Sequence, residues 1–277
     1  MLFVTADDYG VSATYSKEVL ALLAENRINS VSFIVNEESF EQFALDLNPY
    51  LDSVKLNCHL NIFEGRPLYL SKESPLVNKN GYFHLDIKSL TGLYVFSSRK
   101  KKTKILKDIG IEFEAQVKCF LSKFPKLPLS LDSHQHVHLL PFVFPIVDEL
   151  GNRYRATDLR LGESLTSRMT PTIRIFSRKI LFNFLVTLAR RRSTIPARSE
   201  YIFGVNELNS WDETMFRSIH HQVKSNPQLN YELITHPSWK DVAEIDRMDP
   251  QANFINHYLS QNRHIENFLI RENPLND

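Results

Sequence analysis

The stretch Leu131-Asp132-Ser133-His134-Gln135-His136-Val137-His138 sets three imidazoles at i, i+2 and i+4. Side chains at that spacing, together with Asp132, share one face only on an extended backbone, whereas a helix would scatter them. The short apolar run Leu127 to Leu131 precedes the histidines and Pro141 follows them, the pattern of a strand ending in a functional loop. The spacing therefore predicts a strand end carrying the histidines.

Taken one at a time, each histidine also fits as an ordinary hydrogen-bonded side chain. Their company raises the chemical reading: Asp7-Asp8 closes one apolar run, and His59 lies near the end of another. Acidic and imidazole groups at the ends of separate strands are how α/β enzymes assemble a metal site.

The rest of the chain alternates between strand and helix patterns. Leu2 to Ala6 reads as a buried strand stopping at Asp7-Asp8-Tyr9-Gly10, and Ser12 caps a helix running to about Asn26. Strands at Ile28 to Val35 and Val54 to Leu60 flank a helix at Glu37 to Leu47, a βαβαβ start that favours parallel pairing. From Leu68 to about Lys107 the pattern loosens into an excursion from the core, with the basic run Arg99 to Lys102 inside it. Helical spacing returns from Ile111 to Phe124 and from Phe142 to Leu150. Strands are expected at Thr157 to Leu161, Tyr201 to Val205 and Tyr231 to Thr235, with helices at Asp212 to Val223 and near Phe254 to Phe268. Six or seven strands separated by helices imply a barrel or an open parallel sheet in one domain over residues 1–277.

Composition removes several alternatives. The formal charge of +1, from 33 basic and 32 acidic residues, gives no global pull toward nucleic acid or another polyanion. Cys58 and Cys119 lie far apart and form no paired framework, which suits a reducing compartment. With no leader pattern at Met1-Leu2-Phe3-Val4 and no apolar run of membrane-spanning length, the expected location is cytoplasmic.

If Asp8, His59 and His134 meet at one rim, a carboxylate and two imidazoles can hold a divalent ion and leave positions open for water and substrate. Such an ion lowers the pKa of water and polarises a carbonyl, which suits amide or ester hydrolysis. Asp7 could take the proton from that water, although spacing alone equally allows Asp7 as ligand and Asp8 as base. Either aspartate could instead anchor the turn or cap the next helix. His236, in Thr235-His236-Pro237, could protonate a leaving amine or simply bond to backbone.

Ala6-Asp7-Asp8-Tyr9-Gly10, His59-Leu60-Asn61 with Glu64-Gly65-Arg66-Pro67, the histidine stretch and Thr235-His236-Pro237 together resemble the YdjC-like carbohydrate deacetylases, which include chitooligosaccharide deacetylases. The resemblance implies a distorted (β/α) barrel of the polysaccharide-deacetylase type that removes N-acetyl groups from amino sugars with a divalent metal ion, magnesium or zinc. By motif position it makes Asp8, His59 and His134 the metal ligands and Asp7 the base. His236 falls where the family has a candidate acid, and Arg160 falls near an arginine that orients the base. Tyr9 and Gly162 depart from the family's usual phenylalanine and proline.

The expected partner is thus an N-acetylated sugar, not nucleic acid. A non-catalytic sugar-binding protein on the same barrel is the rival from another class, distinguishable by turnover. A metal-dependent phosphoesterase is the enzymatic rival, but only 8 glycines and no phosphate-cradling loop speak for it. Ile173 to Arg192 repeats apolar residues at helical spacing among several cations. A barrel helix burying that face is the simple expectation, and a wide apolar arc beyond it would suit a membrane surface or a second copy of the chain.

Overall fold

The computed structural model describes residues 1–37, 39–165, 173–205, 211–237 and 261–273. Eight parallel strands run in the order β5-β4-β3-β2-β1-β8-β7-β6, where β1 is Leu2–Tyr9, β2 Ser30–Phe33, β3 Lys55–Leu60, β4 Ser130–Ser133, β5 Asp158–Leu159, β6 Glu163–Ser164, β7 Tyr201–Phe203 and β8 Tyr231–Thr235. The first strand lies at the centre, pairing Thr5 with Ser30 on one side and with Ile234 on the other. A strand bonded on both edges and covered on both faces is buried along its length, and only Phe3 of β1 escapes full burial.

The two ends of that strand order, β5 and β6, are successive pieces of one stretch, 158–164. Residues 196–203 run alongside it: Leu159 bridges to Ala197, and Glu163 and Ser164 pair with Tyr201 and Ile202. The sheet thereby curls back on itself into a distorted barrel, the architecture the resemblance implied. At this seam side chains from the neighbouring stretch press so close that a Cβ on Gly162 would stand 2.4 Å from Ile202 Cγ1 and 2.7 Å from Ser199 Oγ. That contact accounts for glycine at 162.

Helices α1 (Ala13–Ala24), α2 (Phe40–Asp46), α3 (Ile87–Phe96), α4 (Arg99–Lys123), α5 (Phe144–Arg153), α6 (Ile173–Arg190), α7 (Glu213–Ser225) and α8 (Gln261–Glu272) accompany the strands. Ser12, Asp86, Ser98 and Asp212 each accept a backbone N–H at the start of α1, α3, α4 and α7. The 25 residues of α4 bury Ile105, Ile109, Phe113, Val117 and Phe120 at helical spacing. Arg99 to Lys102 form its first turn, so the stretch expected to be an irregular excursion holds α3 and the first third of α4. The histidine stretch is also corrected: β4 stops at Ser133, and His134–Leu139 is a 3-10 turn with positive φ at Gln135 and His136. Part of the helix expected near Phe254 to Phe268 lies outside the described residues.

Candidate functional site

The chemistry-bearing residues collect at the C-terminal ends of the strands. At the end of β1 the pairing register slips between Ala6 and Tyr9, and Asp8 has φ 63°. This breaks the alternation of a regular strand and turns two consecutive carboxylates toward the barrel mouth. Gly10, at φ 97°, completes the turn where a side chain would strike Ile34 O at 2.6 Å.

Asp8 Oδ1 accepts a hydrogen bond from His134 Nδ1 at 2.7 Å and lies 3.2 Å from His59 Nε2, while its Oδ2 is 3.6 Å from His236 Nε2. Ligand atoms from Asp8, His59 and His134 all fall within 4.8 Å of one another, and all three residues are buried. The other ring nitrogen of His59, Nδ1, donates to Asp132 Oδ1 at 2.7 Å. That bond fixes the ring and leaves the buried Nε2 facing the cluster without a hydrogen bond. Donors of this kind, one carboxylate and two imidazoles with a carboxylate behind one ring, fit a divalent cation.

Electrostatics follow from burial and charge. Burial alone would raise the Asp8 carboxyl, but the His134 and His59 rings outweigh it and hold Asp8 well below the usual range. Burial works against a proton on His59, yet the Asp132 and Asp7 carboxylates reverse this and lift the ring to about 10.

Asp7 points to a different partner. Its two oxygens accept from Arg160 Nη1 and Nη2, both at 2.7 Å, and Tyr15 donates its hydroxyl to the Asp7 carbonyl. Burial raises the Asp7 carboxyl and Arg160 opposes that shift. Arg160 in turn donates to Glu232 Oε1 through Nε at 3.1 Å and Nη2 at 2.8 Å, and lies 3.0 Å from Asp132 Oδ2. Arg198 completes the array, donating Nη1 to Asp132 at 2.8 Å and to Glu232 at 3.0 Å. Three carboxylates and two guanidiniums thus neutralise most of one another inside the barrel.

Of the three clustered histidines, only His134 reaches the Asp8 group. The 3-10 turn leaves His136 lining the pocket with its ring 5.2 Å from that of Phe182. His138 turns inward, where Nε2 donates to the Arg160 carbonyl at 2.9 Å and Nδ1 accepts from Ser133 Oγ at 2.5 Å. Burial lowers its pKa to about 4, so this ring is a neutral structural link. His236 is held through its backbone N–H, which donates to Glu266 Oε1 at 2.5 Å, and Glu266 also accepts from Arg263 on α8.

Asp7, Asp8, His59, His134, His136 and His236 line a cavity of about 140 Å³. Sequence reasoning gave no role to Asp132, Arg198 or Glu232. The signal for Glu232 was present, a carboxylate inside the buried run Tyr231 to Thr235, whereas Arg198 sits in a loop sequence that carries no pattern.

Comparison with known proteins bears on this geometry. A family model described as YdjC-like protein matches residues 1–269. The chitooligosaccharide deacetylase of Enterobacter sp. (strain 638) is 24% identical over 241 residues, covering 87% of this chain and 82% of that protein. Chitooligosaccharide deacetylases of Salmonella paratyphi B (strain ATCC BAA-1250 / SPB7) and Salmonella newport (strain SL254) are 29% identical over 147 residues, 53% of this chain and about half of their own length, 54%. Among solved structures, a protein of Enterococcus faecalis V583 described as a candidate cellobiose-phosphate cleavage protein superposes with a TM-score of 0.60 at 15% identity, over 98% of this chain and 94% of its own. That likeness bears on the fold.

Proposed function

The chain belongs to the YdjC-like family, and from that premise we propose that it is a metal-dependent carbohydrate deacetylase, an amide hydrolase that removes the N-acetyl group of an amino sugar or of a larger glycan. The observation that carries the reading is the convergence of Asp8, His59 and His134 donor atoms beside an arginine-held Asp7. Relatives named chitooligosaccharide deacetylase support the substrate class.

Asp8, His59 and His134 would hold the ion, and the two imidazoles suit zinc better than magnesium, which favours oxygen ligands. When bound, a divalent cation supplies Lewis acidity to a water and to the acetyl carbonyl. Asp7 accepts the proton of the attacking water, kept in place by the two-pronged grip of Arg160. His236, across the mouth, donates a proton to the departing amine. Asp132 holds the His59 ring in the tautomer that offers Nε2 to the ion.

Acetate release across a panel of N-acetylated sugars, with metal content measured on the same samples before and after chelation, tests the reading. Acetate release that disappears with the metal and returns on its restoration is the expected result. Tight binding of such sugars with no acetate from any of them would instead assign a sugar-binding protein.

A further inference from the structure

The apolar stripe of α6 faces away from the barrel. Val186 and Ala189 are buried against the protein, whereas Phe176, Ile180, Leu181 and Phe184 are 55%, 55%, 60% and 62% exposed. Phe176, Ile180 and Phe184 recur every fourth residue and Leu181 flanks them, so the four form one outward patch. A barrel helix normally shows the reverse arrangement, and large contiguous apolar surface usually marks an interaction site.

We propose that this face of α6 seats the protein on the surface of an anionic lipid bilayer. Charge selects that occupant. Between Glu163 and Glu200 the sequence holds no acidic residue, and Arg178, Arg191 and Arg192 are exposed on or beside the helix. Docking a second copy through the same face would bring these cations together with no carboxylate on the helix to answer them, whereas anionic headgroups answer them directly. Among the described residues no helix is long and apolar enough to cross a membrane, so the contact is peripheral.

A second patch repeats the chemistry. Val95 and Phe96, at the end of α3, are 52% and 89% exposed, and the exposed cations Arg99 to Lys101 follow at once. Both helices pack on the segment that follows β4: Ile87 N donates to Gln135, Tyr94 stacks on Phe142 at 4.0 Å, and Phe182 meets His136. Two apolar patches, each with cations beside it, therefore border the segment that lines the pocket.

Vesicle flotation of the full chain with phosphatidylcholine alone and with added phosphatidylglycerol tests the proposal, beside light scattering for mass. Binding to the anionic vesicles that weakens with salt, and that is lost in the triple variant Phe176→Ser, Ile180→Ser, Phe184→Ser, is expected. Replacing Arg178, Arg191 and Arg192 with Gln touches only exposed side chains and should cut partitioning on the order of a hundredfold, at about 1 kcal/mol per charge removed. Circular dichroism checks that each variant is folded. A folded wild-type monomer that ignores anionic vesicles overturns the proposal, as does a wild-type dimer that ignores them and dissociates in the triple variant, which would assign the face to a second copy. Flotation does not read turnover, so neither outcome depends on the deacetylase reading.

Discussion

Arg160 holds both oxygens of Asp7 at 2.7 Å while its Nε and Nη2 donate to Glu232, so one guanidinium ties the first strand to the last. Bidentate geometry fixes the plane of the carboxylate as well as its position. Arg160→Lys keeps the charge and loses that plane. We expect kcat to fall roughly ten- to a hundredfold, the worth of one or two charged hydrogen bonds, with bound metal unchanged. Loss of metal in this variant would mean that Arg160 supports the ligands and not the base.

The two adjacent aspartates should separate cleanly. Asp7→Asn is expected to retain metal and lose most turnover, while Asp8→Asn loses affinity for the ion itself. Metal titration of both variants beside a rate measurement checks this, and the opposite pattern would exchange their roles.

His59→Ala and His134→Ala should each remove metal and activity together, because a site with three protein ligands has none to spare. Asp132→Asn should be milder, weakening metal affinity by about 10- to 100-fold through the His59 ring. Full occupancy in either histidine variant would sink the ligand assignment.

Glu232 gives a prediction about acid stability. Burial would raise its pKa, but Arg160 and Arg198 overcome that and lower it from its ordinary value of 4.5. A depressed carboxyl contributes stability that is complete above the unfolded value and lost as pH falls through the folded one. Glu232→Gln leaves two buried guanidiniums short of a partner, at a cost of about 3–5 kcal/mol near neutral pH. The gap in denaturation midpoint between wild type and variant should narrow as pH drops below 4.5, and a gap that widens there would refute the account.

Alternation of apolar runs with helical spacing made most of the barrel legible, and Tyr231–Thr235 was read to the residue. What escaped were features set by tertiary contact. β6 has two residues, too short to leave a pattern. The spacing of His134, His136 and His138 suggested one extended face, yet positive φ at Gln135 and His136 converts it to a turn, which periodicity cannot register. Asp7 and Asp8 were ambiguous for a related reason, since only the slipped register at the end of β1 lets both enter the mouth. Arg198 was invisible because its partners, Asp132, Asp158 and Glu232, come from three other places in the chain.

The seam formed by 158–164 and 196–203 divides the site along the sequence. The donor atoms of Asp8, His59 and His134 come from β1, β3 and the turn that follows β4, all before residue 135 and so from the first half of the chain. The guanidinium that aligns Asp7 is that of Arg160, 153 residues further along the chain than Asp7, on the stretch where the barrel closes. In the proposed mechanism, the groups that hold the cation and the guanidinium that aligns the base are therefore drawn from different halves of the chain.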